Sequence, residues 1–458
     1  MDKRTCKFRL SLLIATFVGL VMFTSCSGDD YINAIPANST ALLSFDADAL
    51  GGKSETSNIE KLLGVKAIED CGIDFSNKVY LFETVDGNIG LVAKVGDEDN
   101  LNDWLNGLSS KGLCTKTEEK DDNRFAVLKN SWVVGFSSDA LIVMGPVLPA
   151  QQAEAKLQMV RYFKQDEDNG IKTSPLFGRL DSIGSAVALV ARADALPEKF
   201  AMPFTLGAPK GTDASQIIIS AEIAKGSGNC LEISGETFSL NNEIDASLKS
   251  SMATLRPIRG KYVRGMSSSD TFGAFLNVDG RQFINMLHSD KSFQALLAGL
   301  NTAIDMDNII KSINGDLAIV ANSYGADQSM ALQMGAQLAS KGFLADVGYW
   351  KQSCPAGSKI VDWGKNSYLY TDGKLNYYFG VTDDMQYFSG STPENAQASI
   401  SSAKRPLPAS LTSKIAGKRM CMVLNVRALA GGAGQYASIM SFVEPFFGKV
   451  ETVLYYLK

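Results

Sequence analysis

The chain alternates short apolar runs with turn residues, and the spacing of those runs predicts strands more often than long helices. One pattern occurs four times: an apolar strand that runs into Asp, Asn or Arg and then into a helix start rich in small residues. Its copies lie at 41–50, 187–196, 273–283 and 420–429. An acid or Asn at that position caps the helix by accepting from its first free N–H groups, worth about 1 kcal/mol. A second pattern, at 132–145 and 377–390, reads strand, tight polar turn, strand. Gly135, Asp139 and Gly145 fall on Gly380, Asp384 and Gly390 at an offset of 245. Pro and an Ala/Gln-rich helix follow each copy, at 151–163 and 394–402.

Copies one and three of the first pattern, and copies two and four, stand 233 residues apart. Recurrence at nearly one offset predicts a duplication, with halves at 31–255 and 261–458 joined by Arg256-Pro-Ile-Arg-Gly260. Between the repeats, strands at 78–83 and 89–95 flank Asp86-Gly87-Asn88, a type I′ hairpin signal. An amphipathic helix is predicted at 99–108 and strands at 114–117, 125–128, 132–136, 217–224 and 231–238. Hairpins interspersed with short helices predict an α+β class: duplicated units of mostly antiparallel sheet with short helices packed on them. The offset of 233 lays 450–458 on 217–225, so the second half lacks counterparts of the strand 231–238 and the helix 243–255. The apolar stretch Val453-Leu454-Tyr455-Tyr456 would then be an open edge. It is expected to be covered by the first half, covered by a partner, or frayed.

The N-terminus has a different pattern. Lys3, Arg4, Lys7 and Arg9 precede an apolar run from Leu10 to Phe23, and Thr24-Ser25-Cys26 follows. A charged start, a short apolar core and small residues before a cut site describe a secretory signal peptide over 1–25. The run is too short to span a bilayer, which takes roughly 20 apolar residues. Phe23-Thr24-Ser25-Cys26 resembles the lipobox of bacterial lipoproteins, in which the Cys becomes the acylated first residue; most lipoboxes carry Leu where Phe23 stands. Ser27-Gly28-Asp29-Asp30 completes an acidic tether over 26–30. It resembles the export signal that carries Bacteroidetes lipoproteins to the cell surface. The expectation is a membrane anchor through lipid on Cys26, in the outer membrane and at the cell surface.

Residues 1–25 hold four basic residues and one acidic residue, so removing them takes the formal charge from −5 to −8. An acidic chain with no Lys/Arg block argues against nucleic acid, whose binding rests on neutralising phosphates. Apolar content of 45% and charged content of 20% are ordinary for a globular protein, and the length predicts two or more domains. Cys71, Cys114, Cys230, Cys354 and Cys421 are widely spaced with no C-x-x-C, so they read as small buried hydrophobes rather than as a zinc or redox site.

Candidate chemistry is sparse. The single His, His288, closes a helix predicted at 279–287, which rules out two-His metal sites and reads as a helix-end residue. Carboxylates cluster at Asp97, Glu98, Asp99 and Asp103, at Asp166–Asp168, at Asp305 and Asp307, and at Asp383-Asp384. A glycosidase needs two of them about 5–10 Å apart in a cleft, but their positions before helices and in turns read as structural. Gly431-Gly432-Ala433-Gly434 precedes a helix predicted at 435–447, yet lacks the residues of a phosphate loop. No catalytic, cofactor-binding or metal residue is predicted. Asp181-Ser182-Ile183 resembles the Asp-Ser/Thr-apolar sites that Bacteroidetes O-glycosylate, which makes Ser182 a modification candidate.

The segment Tyr31-Ile-Asn-Ala-Ile-Pro36, followed by a strand ending at Asp46, resembles the start of a Bacteroidetes cell-envelope lipoprotein family known only as a domain of unknown function. The resemblance implies a lipid anchor and two related halves. It also implies a somewhat longer C-terminus, so the short end reads as truncation; it transfers no site residues. Two functions follow as expectations. The first is a non-enzymatic binding or scaffolding role toward an envelope protein or an extracellular glycan. The alternative is a carboxylate-based glycan hydrolase.

Overall fold

The turn between the first two hairpin strands shows how local chemistry sets this fold. Gly87 N donates to Thr84 O at 2.9 Å, and Gly87 alone in the turn takes a left-handed φ, +76°. A type I′ turn needs two such residues, so the sequence expectation is corrected. This is a three-residue loop closed by a left-handed Gly, which suits the twist of the flanking strands equally well. The structure, a computed structural model, describes residues 28–50, 60, 63–196, 198–289, 303–324, 330–429 and 447–458. The expected signal peptide, the expected lipidation site Cys26 and the glycine loop 431–434 lie outside the described residues.

Residues 63–178, with the described residues of 1–49, form one compact unit. Its strands are β1 (Ala41–Phe45), β2 (Val79–Glu83), β3 (Ile89–Lys94), β4 (Glu118–Lys120), β5 (Asn123–Leu128), β6 (Trp132–Phe136) and β7 (Ala140–Gly145). They pair in the order β1-β2-β3-β7-β6-β5-β4, antiparallel throughout. Helix α1 (Glu98–Ser110) is capped by Asp97, which accepts from Asn100 N at 2.9 Å, and it buries Leu101 and Leu105 one turn apart. Helix α2 (Gln152–Phe163) follows the second hairpin as predicted. The segment after Asp30 enters this core at once: Tyr31, Ile32, Ala34 and Ile35 are buried, and Tyr31 OH donates to Lys78 O at 2.6 Å. The strand expected at 114–117 is instead a single bridge from Cys114 to Leu128. There the Thr115 side chain accepts from Val127 N at 2.9 Å, so a hydroxyl replaces a ladder bond and regular pairing begins only at β4.

The second unit comprises residues 179–458 with the described residues of 50–62. It begins with β8 (Val187–Arg192), β9 (Ile218–Lys225), β10 (Cys230–Phe238) and helix α3 (Asn242–Ala253). Then come β11 (Phe272–Asp279), helix α4 (Gly280–Ser289), helix α5 (Met306–Lys311), β12 (Ile313–Tyr324) and β13 (Met330–Leu338). β14 (Lys359–Gly364), β15 (Ser367–Thr371), β16 (Asn376–Val381), β17 (Gln386–Gly390), helix α6 (Pro393–Ala398), β18 (Met420–Asn425) and β19 (Thr452–Leu457) follow. Pairing runs β8-β9-β10-β19-β18-β11-β12-β13-β17-β16-β15-β14. Every pair is antiparallel except β10 with β19, which is parallel. The class is α+β. The run β11-β12-β13-β17-β16-β15-β14 has the strand order of β1-β2-β3-β7-β6-β5-β4. Its apolar core gathers Phe343, Trp350, Phe379 and Tyr387 beside α4 and α5.

The glycines shared by the two strand–turn–strand motifs have a steric cause. A Cβ on Gly145 would stand 2.7 Å from Ser131 O, and one on Gly390 would stand 2.5 Å from Ala396 N, at the base of α6. The compact division falls after Gly178, not at 256–260, because β10 pairs with β19 and so draws β8–β10 into the second unit. That pairing also covers the apolar edge that the sequence leaves open. Residues 256–261 are a pinned segment: Arg256 N donates to Asn277 O, Ile258 N to Lys418 O, and Arg259 N and Lys261 N to the buried Asp316 carboxylate.

Candidate ligand-binding cavity

The parallel register of β10 and β19 sets Gly235 opposite Leu457, the last residue of β19. Beyond that point β10 continues through Glu236 and Phe238 to Ser239, whose hydroxyl donates to Gln216 O at 2.6 Å and fixes the corner. Asn241 then caps α3, accepting from Glu243 N at 3.0 Å and Ile244 N at 3.3 Å. This cap aims the helix so that Asp245, Lys249 and Met252, spaced by four and three residues, share one face. Between that face and the strand ends lies a cavity of about 410 Å³, which Arg179, Arg419, Leu457 and Lys458 also line. A smaller cavity of about 100 Å³ shares Arg179, Glu236 and Lys458 and includes Ser182, Ser220 and Glu222.

Charge in this region is organised in pairs. Arg179 binds Glu236, donates through Nε to Ser220 Oγ at 3.1 Å, and lies over the Phe238 ring at 5.6 Å. Lys249 meets Asp245 at 2.7 Å, and Lys458 meets Glu222 at 2.6 Å. The Lys249 ammonium, helped by Ser239 N–H, holds the Asp245 carboxyl below the usual carboxylate range. Arg419 is exposed and makes no ion pair among the described residues. Each of these carboxylates already faces a cation. The arrangement can bind and orient charge.

The carboxylates singled out in the sequence are placed elsewhere, each in local structure. Asp97 caps α1, and Glu98 and Asp99 face Arg124 at 3.5 and 3.9 Å. Asp103 is exposed on α1. Asp166 accepts from Asp168 N, and Glu167 pairs with Lys172 at 2.8 Å. Asp305 caps α5, accepting from Asn308 N at 2.9 Å. Asp383 pairs with Lys365 at 2.8 Å, while Asp384 accepts from Thr382 Oγ1 and Gln386 Nε2, both at 2.6 Å. His288 sits in the last turn of α4, with Nε2 2.7 Å from Asp307 Oδ2. Ser182 is exposed on the rim of the smaller cavity, and its hydroxyl donates to Arg179 O at 2.6 Å. Cys71, Cys230 and Cys421 are buried and unbridged. No described helix is long and apolar enough to cross a membrane.

A family model described as a domain of unknown function, DUF4836, matches residues 65–404. The chain belongs to this family. No curated protein matches it. A solved structure titled "Structure of crystal form III of TP0453" aligns over 81% of this chain and 96% of that one, at 8% identity and a TM-score of 0.24, too low to support an argument. In this DUF4836 member the matched region includes Arg179, Glu236 and Lys249, whereas Arg419 and Lys458 lie beyond it. Sequence reasoning missed all five residues. They share no motif and lie up to 279 positions apart; the β9–β10 hairpin gathers Arg179, Glu236 and Lys249, and the β10–β19 pairing adds Arg419 and Lys458.

Proposed function

We propose that this DUF4836 chain is a lipid-anchored outer-membrane protein of Bacteroidetes type, displayed at the cell surface, that binds or scaffolds an envelope component through the second unit's cavity. The observation that carries the binding role is the cavity itself, rimmed by four basic side chains on a chain of net negative charge. The anchor reading rests on the lipobox-like Cys26 and on burial beginning at Tyr31. That leaves four residues, Ser27–Asp30, as tether, with a reach of at most about 14 Å. The folded units would therefore ride close to the bilayer. Ser182, exposed in an Asp-Ser-Ile sequence, is the O-glycosylation site in this reading. Shared strand order, with the 245 and 233 offsets, supports descent of the two halves from one duplicated unit. The glycan-hydrolase alternative gains nothing from the cavity, because its carboxylates are paired with cations.

The test is photo-crosslinking in the native envelope, comparing the full chain with the Lys249→Glu/Arg419→Glu double variant. Adducts specific to the unaltered chain and reduced at least fivefold in the double variant are expected. Equal adducts in both would overturn the cavity as the binding site. Loss of lipid labelling and of membrane retention in Cys26→Ser checks the anchor in the same cells.

A further inference from the structure

We infer that the larger cavity takes an amphiphilic anion: a carboxylate or phosphate group joined to an apolar chain, with Arg419 receiving the charged end. This deepens the binding role proposed above and rests on it. Four cations border the two adjoining cavities, and Arg179, Lys249 and Lys458 are each answered by a carboxylate, Glu236, Asp245 and Glu222. Arg419 is the remaining charge. One incoming anion completes the pairing, whereas a cationic ligand would meet three spoken-for carboxylates and a repelling guanidinium. The guanidinium fork suits carboxylate and phosphate oxygens, which it binds two at a time.

A second observation concerns the cavity lining. Phe238, Met252 and Leu457 contribute apolar surface between the charged groups, and Leu457 is buried in the core. A free inorganic ion would leave that surface wet, so the site is better filled by an anion with an apolar tail. The volume of about 410 Å³ lies in the range of small-molecule sites and is too small for a folded partner. Lys249 offers adjustment at the mouth. Its side chain is 72% exposed, and its pair with Asp245 within one helix turn is of the weak surface kind. It can therefore turn toward an incoming anion at little cost.

Calorimetric titration of the full chain, with every amphiphile kept below its micelle concentration, tests the inference. The probes are decanoate, decyl phosphate, neutral decyl maltoside and inorganic phosphate. At least one of the two anionic amphiphiles should bind with 1:1 stoichiometry, at least tenfold tighter than either the neutral amphiphile or inorganic phosphate. The preference between decanoate and decyl phosphate identifies the head group. Arg419→Glu, at an exposed position, should weaken the anions at least tenfold and leave the thermal melt and the neutral amphiphile unchanged. Equal affinity for charged and neutral amphiphiles, an unaffected Arg419→Glu variant, or no binding of either anion would each overturn it. If crosslinking depends on the cavity while neither anion binds, this inference fails and the binding role stands; if an anion binds and crosslinking ignores the cavity, the reverse holds.

Discussion

At the scale of single residues, burial decides chemistry. Cys421 on β18 packs against Val423 and Leu454 with no exposed surface, and burial pushes its thiol up to about 12, only partly offset by Lys418. The unfolded chain ionises this thiol near the ordinary value of about 8.5. The folded state therefore holds its proton longer, and the contribution to stability is complete below that pH and is lost as pH rises toward 12. Each pH unit in this window removes about 1.4 kcal/mol. Urea midpoints taken at intervals from pH 8 to 10.5 should fall less steeply in Cys421→Ala by about one proton; parallel slopes would refute the assignment. The two repeated glycines are residue-scale features of another kind. They were legible because backbone crowds both sites, from Ser131 O at Gly145 and from Ala396 N at Gly390, and each crowding leaves glycine in the sequence.

At the scale of elements, alternation and capping carried most of the information. Helices α1 and α3 start within a residue of the predicted positions, since Asp97 and Asn241 cap them by the chemistry that the sequence advertises. What local pattern could not supply was the partner of β19. Its apolar residues signal a strand equally well whether the neighbour is solvent, a second protein or β10. In the structure β19 lies between β18 and β10, so its amides should be protected from hydrogen exchange. Ile233→Pro in β10 removes a ladder donor on the side that faces β19, the side from which Gly235 O accepts Lys458 N. The β19 amides facing β10 should then exchange at least tenfold faster than in the unaltered chain. Unchanged exchange would show that β10 does not cover this edge.

At the scale of the whole molecule, the junction between the sequence halves is a structural part of the second unit. Its turn residues and lack of periodicity read as a boundary, yet Asp316, itself 4% exposed, accepts from two of its backbone N–H groups at 2.9 and 2.8 Å. Removing that carboxylate leaves both donors without a partner, at about 1–3 kcal/mol each. Asp316→Ala should therefore open the segment to trypsin after Arg259 and Lys261 at least tenfold faster, at a temperature where the intact chain resists. Equal cleavage rates would mean that the pin is not what closes it.

The sequence by itself determined the α+β class, the hairpins, the helix caps and the recurring strand–turn–strand motif, because each depends on residues within about a dozen positions of one another. It also holds the lipobox-like start on which the proposed anchor rests. Tertiary structure alone decided that β10 lies parallel to β19, that the compact division follows Gly178, and that Arg179, Glu236, Lys249, Arg419 and Lys458 border one cavity. Those outcomes rest on the pairing of two strands more than two hundred residues apart. Backbone hydrogen bonds of that kind depend little on side-chain identity, so they leave no local pattern to read.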